Sequence, residues 1–153
     1  MRLPSAYFLT CGAGEGTTPQ NSVDTARLAA GIGQLSLLSC QAHLPPACRQ
    51  CEPHPLEPGV LTPALIATIY GEVPGEVISA AVAIAWPTDP AAGAVVMKHA
   101  AAGHKEDIEA IARRMAEDGL RTRDLKLRQI QSIAVQHQVQ KLGSVVVALI
   151  LCQ

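Results

Sequence analysis

The chain has 153 residues, of which 48% are hydrophobic, 16% charged and 3% aromatic, and its 12 basic and 13 acidic side chains leave a net charge of −1. This length reads as one domain able to bury about 70% of its extended surface, and no basic stripe interleaved with aromatics marks a nucleic-acid surface. The apolar runs at 80–87 and 145–152 are too short to span a bilayer, and Met1-Arg2-Leu3-Pro4 lacks the apolar run of a signal peptide, so a cytoplasmic protein without membrane contact is expected.

In chain order, Ala6–Cys11 reads as a strand running into the turn Gly12-Ala13-Gly14-Glu15-Gly16. The spacing is not that of a dinucleotide fingerprint, so the glycines are read as supplying unusual backbone angles beside a pocket or subunit contact. Asn21 or Ser22 then caps a helix through Ala30, with Gly31 as its stop. Val23, Ala26 and Ala30 face inward, and Asp24 in the first turn complements the helix dipole. Arg27 lies three residues on, on the same face, within reach of Asp24.

Leu35, Leu37 and Leu38 mark an apolar strand that Pro45-Pro46 stops. Prolines and glycine make 47–60 a loop. Within it Cys48-Arg-Gln-Cys51-Glu-Pro-His54 has the spacing of half a zinc site, to be completed by Cys40, His43 or a neighbouring chain. The simpler reading is a loop with two incidental cysteines, and no metal is expected. Five cysteines, an odd number, argue for free thiols.

Leu61–Tyr70 and Val77–Trp86 read as strands around a turn at 71–76, the second so apolar that both its faces should be buried. Gly93–His99 is a further strand. His104–Asp118 is an amphipathic helix with Ile108, Ile111, Ala112 and Met115 inward and Gly119 as its end. Ile130–Val139 alternates as a strand with Ile133, Val135, His137 and Val139 on one face, His137 being a packed strand histidine. Ser144–Cys152 is the last strand. The few aromatics leave a core of Val, Ile, Leu and Ala, which suits sheets packed on sheets or helices.

Several of these segments resemble the pyruvoyl-dependent arginine decarboxylases. They are Glu15-Gly16 with Thr18-Pro19 and Asn21, Gly31-Ile32-Gly33 leading to Pro45-Pro46, Val73-Pro74-Gly75-Glu76 with Ile78-Ser79-Ala80-Ala81 and Pro87-Thr88-Asp89, and Ser132 through Gly143. The resemblance covers nearly the whole chain. It implies an α/β fold, an αββα sandwich of mainly antiparallel sheets flanked by helices. It also implies a homotrimer with active sites between subunits. In that family the second residue of a Ser-Ser pair attacks the preceding carbonyl, the chain breaks, and the serine becomes a pyruvoyl group that serves as electron sink.

Counted from either side, that pair falls on Gln41-Ala42, a lost processing site, because alanine has no nucleophile. No pyruvoyl cofactor is therefore expected. The family's proton-donating glutamate falls on Lys98, with His99 next. Asp24 matches the aspartate that binds the substrate guanidinium. Arg27 replaces an aliphatic residue and would occupy the place of that guanidinium. Ser36 falls where an asparagine often helps to hold substrate.

Three functions follow. The first is a cofactor-free enzyme of lyase or cyclase type, as in secondary metabolism, acting on a small polar or amino-acid-derived metabolite. Lys98 and His99 would be catalytic, His43 a further candidate, and Asp24, Arg27 and Ser36 would bind substrate. The second is a non-catalytic binding or regulatory subunit, mixed into trimers with an active relative. The third is an arginine decarboxylase that is processed at Ser39-Cys40 after a two-residue slip, which keeps each side chain on its face. A serine-to-alanine trap would account for Ala42 but not for Gln41 or Lys98.

Overall fold

The structure, a computed structural model, describes residues 2–153. The elements are β1 (Ala6–Glu15), α1 (Pro19–Ala29), β2 (Ser36–Ser39), β3 (His43–Leu44), β4 (Arg49–Gln50), β5 (Leu61–Gly71), β6 (Val77–Pro87), β7 (Ala94–Ala102), α2 (Lys105–Thr122), β8 (Leu127–Gln138) and β9 (Gly143–Cys152). They form a five-stranded sheet in the order β2-β5-β9-β1-β4 and a four-stranded sheet in the order β3-β7-β6-β8. Pairing is antiparallel except for the short β2 and β4, which run parallel to their neighbours.

The layering follows from the two-residue side-chain period of a strand. In β9, Val145, Val147 and Leu149 face the space between the sheets, while Val146, Ala148 and Ile150 face α1. In β6, Ile78, Ala80, Val82 and Ile84 face between the sheets, and Ala81, Ala83 and Ala85 face α2. Both central strands are thus apolar on two faces, and the order of layers is helix, sheet, sheet, helix, as the sandwich reading expects. Each fully buried Val, Leu or Ile contributes roughly 1.5–3 kcal/mol to this core.

The glycine-rich segment is not a turn. β1 continues through Glu15, and α1 lies directly on it. A Cβ at Gly12 would meet the Ala26 carbonyl and the Ala30 nitrogen, and one at Gly14 would meet the Thr25 side chain. These glycines serve close helix–strand approach.

The start of α1 also differs. Thr18 is the N-cap, its hydroxyl accepting from the Asn21 N–H at 3.1 Å, and Pro19 fills the first turn. Asn21 and Ser22 therefore sit inside the helix, where Ser22 is buried against the Ser144 hydroxyl at 2.6 Å. No acidic residue lies in the first turn, so Asp24 does not complement the dipole.

In α2 the inward face is Ile108, Ala112, Ala116 and Leu120, not Ile111 and Met115; Met115 is 36% exposed. Gly119 does not end the helix, which runs on to Thr122. It is the point of closest approach to β7, where a Cβ would stand 2.6 Å from Val95 Cγ1. Small residues on this face let the helix sit low on the alanine side of β6. No helix of the described residues is long and apolar enough to cross a membrane.

Candidate functional site

The site forms where two sheet edges are left open together. β2 ends at Ser39 opposite Ala64, and the Cys40 N–H makes the last bond of that ladder, to the Ala64 carbonyl at 2.9 Å. Two residues on, the Ile66 carbonyl points to the same edge with no strand to receive it. On the other sheet β3 covers only Ala94 and Val95, so the edge of β7 beyond them is free. Lys98 reaches across from β7, and its Nζ donates to the Ile66 carbonyl at 2.8 Å.

Between β2 and β3 the chain crosses from one sheet to the other through Cys40, Gln41 and Ala42. The crossing roofs a cleft of about 490 Å³ in which Gln41, Ala42, His43, Lys98 and Arg123 meet. The Ala42 methyl packs against the core between the sheets. Leu65, Val96 and Met115 give the cleft an apolar wall, and no carboxylate lines it. Burial, and then the charge of Arg123, push the His43 imidazole below its usual range, so it favours the neutral form. Arg123 Nη1 donates to the Gly119 carbonyl at 2.8 Å, which holds one edge of its guanidinium against the end of α2.

Gln41, Ala42 and Lys98, far apart in sequence, are therefore brought together. His99 is not their partner. Successive strand residues point to opposite faces: Lys98 shares its face with Val96 and Ala100, toward the facing sheet, and His99 shares its face with Met97 and Ala101, toward α2. The two border only a small recess of about 230 Å³ at the strand edge.

Asp24 and Arg27 line a separate cleft of about 620 Å³ with Thr18, Asn21 and Tyr70. They do not pair. The ion pairs among the described residues are Arg121 with Glu117 and with Asp118, and His137 with Glu15. Asp24 is exposed to solvent, which screens it, whereas Arg27 Nε is buried without a partner. Ser36 opens β2, exposed, and lines neither cleft. Within one protomer, then, Asp24, Arg27 and Ser36 do not converge on Lys98. Arg123 and Tyr70 escaped the sequence reading: nothing local to either marks it, and only the docking of α2 on β7, or of α1 beside β5, gives it a cleft to line.

His137 is packed, as expected, and is also paired. Glu15 Oε2 lies 2.6 Å from its Nε2, while Oε1 accepts from the Lys141 and Leu142 N–H groups at 2.8 and 3.2 Å. Burial alone would raise the Glu15 carboxyl, but the bonds from Lys141, His137, Gln140 and Leu142 outweigh it and hold the group below the usual carboxylate range.

All five cysteines are free. His54 turns away from Cys48 and Cys51, its ring against Phe8 at 5.3 Å and its Nδ1 on the Glu52 carbonyl. Among the described residues no three of His, Cys, Asp and Glu are grouped to hold a metal ion.

The comparisons with known proteins agree over nearly the whole chain. The family model described as pyruvoyl-dependent arginine decarboxylase (PvlArgDC) matches residues 6–153. The chain is similar to the pyruvoyl-dependent arginine decarboxylase of Methanocaldococcus jannaschii, 38% identical over 142 residues that cover 93% of this chain and 86% of the relative. It is also similar to the protein of that name from Methanothermobacter thermautotrophicus, 34% identical over 93% of both chains. A third, from Pyrococcus abyssi, is 29% identical over 95% of this chain and 92% of its own. A two-sheet, two-helix sandwich matched along nearly its full length in this way, this chain belongs to the pyruvoyl-dependent arginine decarboxylase family.

Proposed function

We propose that this chain is a family member that does not process itself, and that its cleft at Gln41, Ala42 and Lys98 binds and converts a small polar or amino-acid-derived metabolite without a pyruvoyl group. The observation that carries this reading is that the two departures from the family pattern, Ala42 and Lys98, line one cleft. A pyruvoyl group grows from a serine hydroxyl, and residue 42 is a methyl packed against the core. The nearest serine upstream, Ser39, is the last residue of β2, paired with Ala64 and outside the cleft. The residues do not fit the group.

What the chain itself supplies is a donor at Lys98 Nζ, aimed by its bond to the Ile66 carbonyl, a neutral imidazole at His43 able to accept a proton, and a guanidinium at Arg123 to hold an anionic group. A homotrimer, which the family resemblance implies, would set the cleft of Asp24 and Arg27 in one protomer against the Lys98 cleft of the next. Five free thiols suit a cytoplasmic setting.

Denaturing mass spectrometry tests the first half of the proposal. One intact chain near 16.0 kDa, with no agmatine released from arginine, is the expected result. Two fragments, one with a ketone-blocked terminus, would overturn it. Turnover of a candidate metabolite, lost in Lys98→Met while binding persists, tests the second half.

A second reading is favoured by one specific contact. The Lys98 ammonium already commits one of its three N–H donors to a backbone carbonyl, as suits a non-catalytic binding or regulatory subunit mixed with an active relative. Native mass spectrometry after co-expression with such a relative separates the two: mixed trimers support the subunit, homotrimers alone the enzyme.

A further inference from the structure

A further cavity, of about 440 Å³, opens at another edge of the sandwich and shares no lining residue with the Lys98 cleft. Its floor holds two aromatic residues, Tyr7 and Trp86, 2% and 9% exposed. The Tyr7 hydroxyl donates to Gln131 Oε1 at 2.8 Å, and the Trp86 indole N–H reaches the same oxygen at 3.3 Å. An indole N–H can only donate, so Gln131 must present its oxygen to the floor. Its Nε2 therefore turns outward and donates to Gln50 Oε1 at 2.9 Å. That bond in turn occupies the Gln50 oxygen and leaves the Gln50 Nε2 as the group free to meet a ligand. A chain of three fixed donors and acceptors thus ends in a donor at the cavity.

The rim repeats that polarity. Arg49 and Arg128 line the cavity, and no Asp or Glu does. Neither arginine is in an ion pair among the described residues. The Arg128 bonds, to the Pro87 carbonyl and to Gln129, are both long at 3.4 Å, so most of its fork is uncommitted. Beside this lies a recess of about 320 Å³ that shares Pro46, Trp86 and Arg128 and adds Pro87 and Pro90. Asp89 in that recess accepts from the Ala91 N–H at 2.9 Å, in its own turn.

We propose that this cavity binds a small oxyanion, a carboxylate or phosphate carried on a compact apolar body. Arg49 and Arg128 hold the oxyanion through their planar forks. Gln50 adds a neutral donor, and the body lies against Trp86 and the prolines. The site stands apart from the proposed catalytic cleft and does not depend on the reading of that cleft.

The test is titration calorimetry on the full chain at low ionic strength, with benzoate and inorganic phosphate as separate probes. Saturable binding of either supports the site, and the better probe identifies the ligand as a carboxylate or a phosphate. Arg49→Met and Arg128→Met should each weaken binding roughly tenfold or more, since a hydrogen bond to a charged group is lost. Gln50→Glu, which keeps the acceptor that Gln131 needs but places a carboxylate in the cavity, should weaken it too. Lys98→Met should leave it unchanged. No saturable binding of either probe, or binding lost with Lys98→Met and kept with Arg128→Met, overturns the proposal.

Discussion

Glu15 and Lys98 are both charged residues on strands, and both bond to backbone where a sheet runs out. They differ in how completely they are held. Glu15 takes three N–H groups of the corner before β9 and the imidazole of His137, and its side chain is only 26% exposed. Lys98 makes one bond, to the Ile66 carbonyl, from an exposed position above a cleft. A charge saturated by its own fold is committed to that fold. A charge with one partner and open space beside it is available to a ligand.

Substitutions that remove each charge should therefore separate activity from stability. The largest expected effect is on turnover: Lys98→Met should slow it by about 10²–10⁴-fold, the range of a general acid or base. Its unfolding free energy should fall by no more than about 1 kcal/mol, one net hydrogen bond, in urea titration. A large loss of stability with normal turnover would reverse the comparison. Next, Glu15→Ala should cost about 1.5–3 kcal/mol in the same titration, because it removes the charge-assisted hydrogen bonds that tie one corner together. Turnover per folded molecule should not change.

A smaller effect is expected with pH. The folded Glu15 carboxyl titrates below its unfolded value of about 4.3. Its contribution is thus fully present above that pH and is lost as pH falls through the folded value. Wild type should lose stability over that window, and Glu15→Gln should lose less. The smallest effect is at His43. Burial is the main cause of its lowered pKa and Arg123 the lesser, so Arg123→Met should raise its titration midpoint only in part, as read by NMR.

What the sequence made legible was whatever depends on local pattern. The apolar run of β6, the alternation of β8 and the presence of two helices follow from side-chain period alone. Thr18-Pro19 carried the true start of α1, since a hydroxyl followed by proline is a helix entry, yet the later Asn21 and Ser22 took its place in the reading. Gly12, Gly14 and Gly119 were misread for a different reason. Each is required by a neighbouring element passing close by, and contact between distant segments leaves no local trace.

The same division holds at the site. Gln41, Ala42 and Lys98 could be placed by counting from fixed landmarks. That His99 faces the other way was implicit in strand pleating. That Arg123 lines the same cleft as Lys98 was not implicit in anything short of the fold.

The crossing at residues 40–42 has a mechanical corollary. The chain before it, β1, α1 and β2, is zipped to β9 and β5, which lie after it. Severing the peptide there would open no layer and release no element. The polypeptide should accordingly behave as a natural split protein: two separately expressed pieces meeting at that point would reassemble without a covalent join.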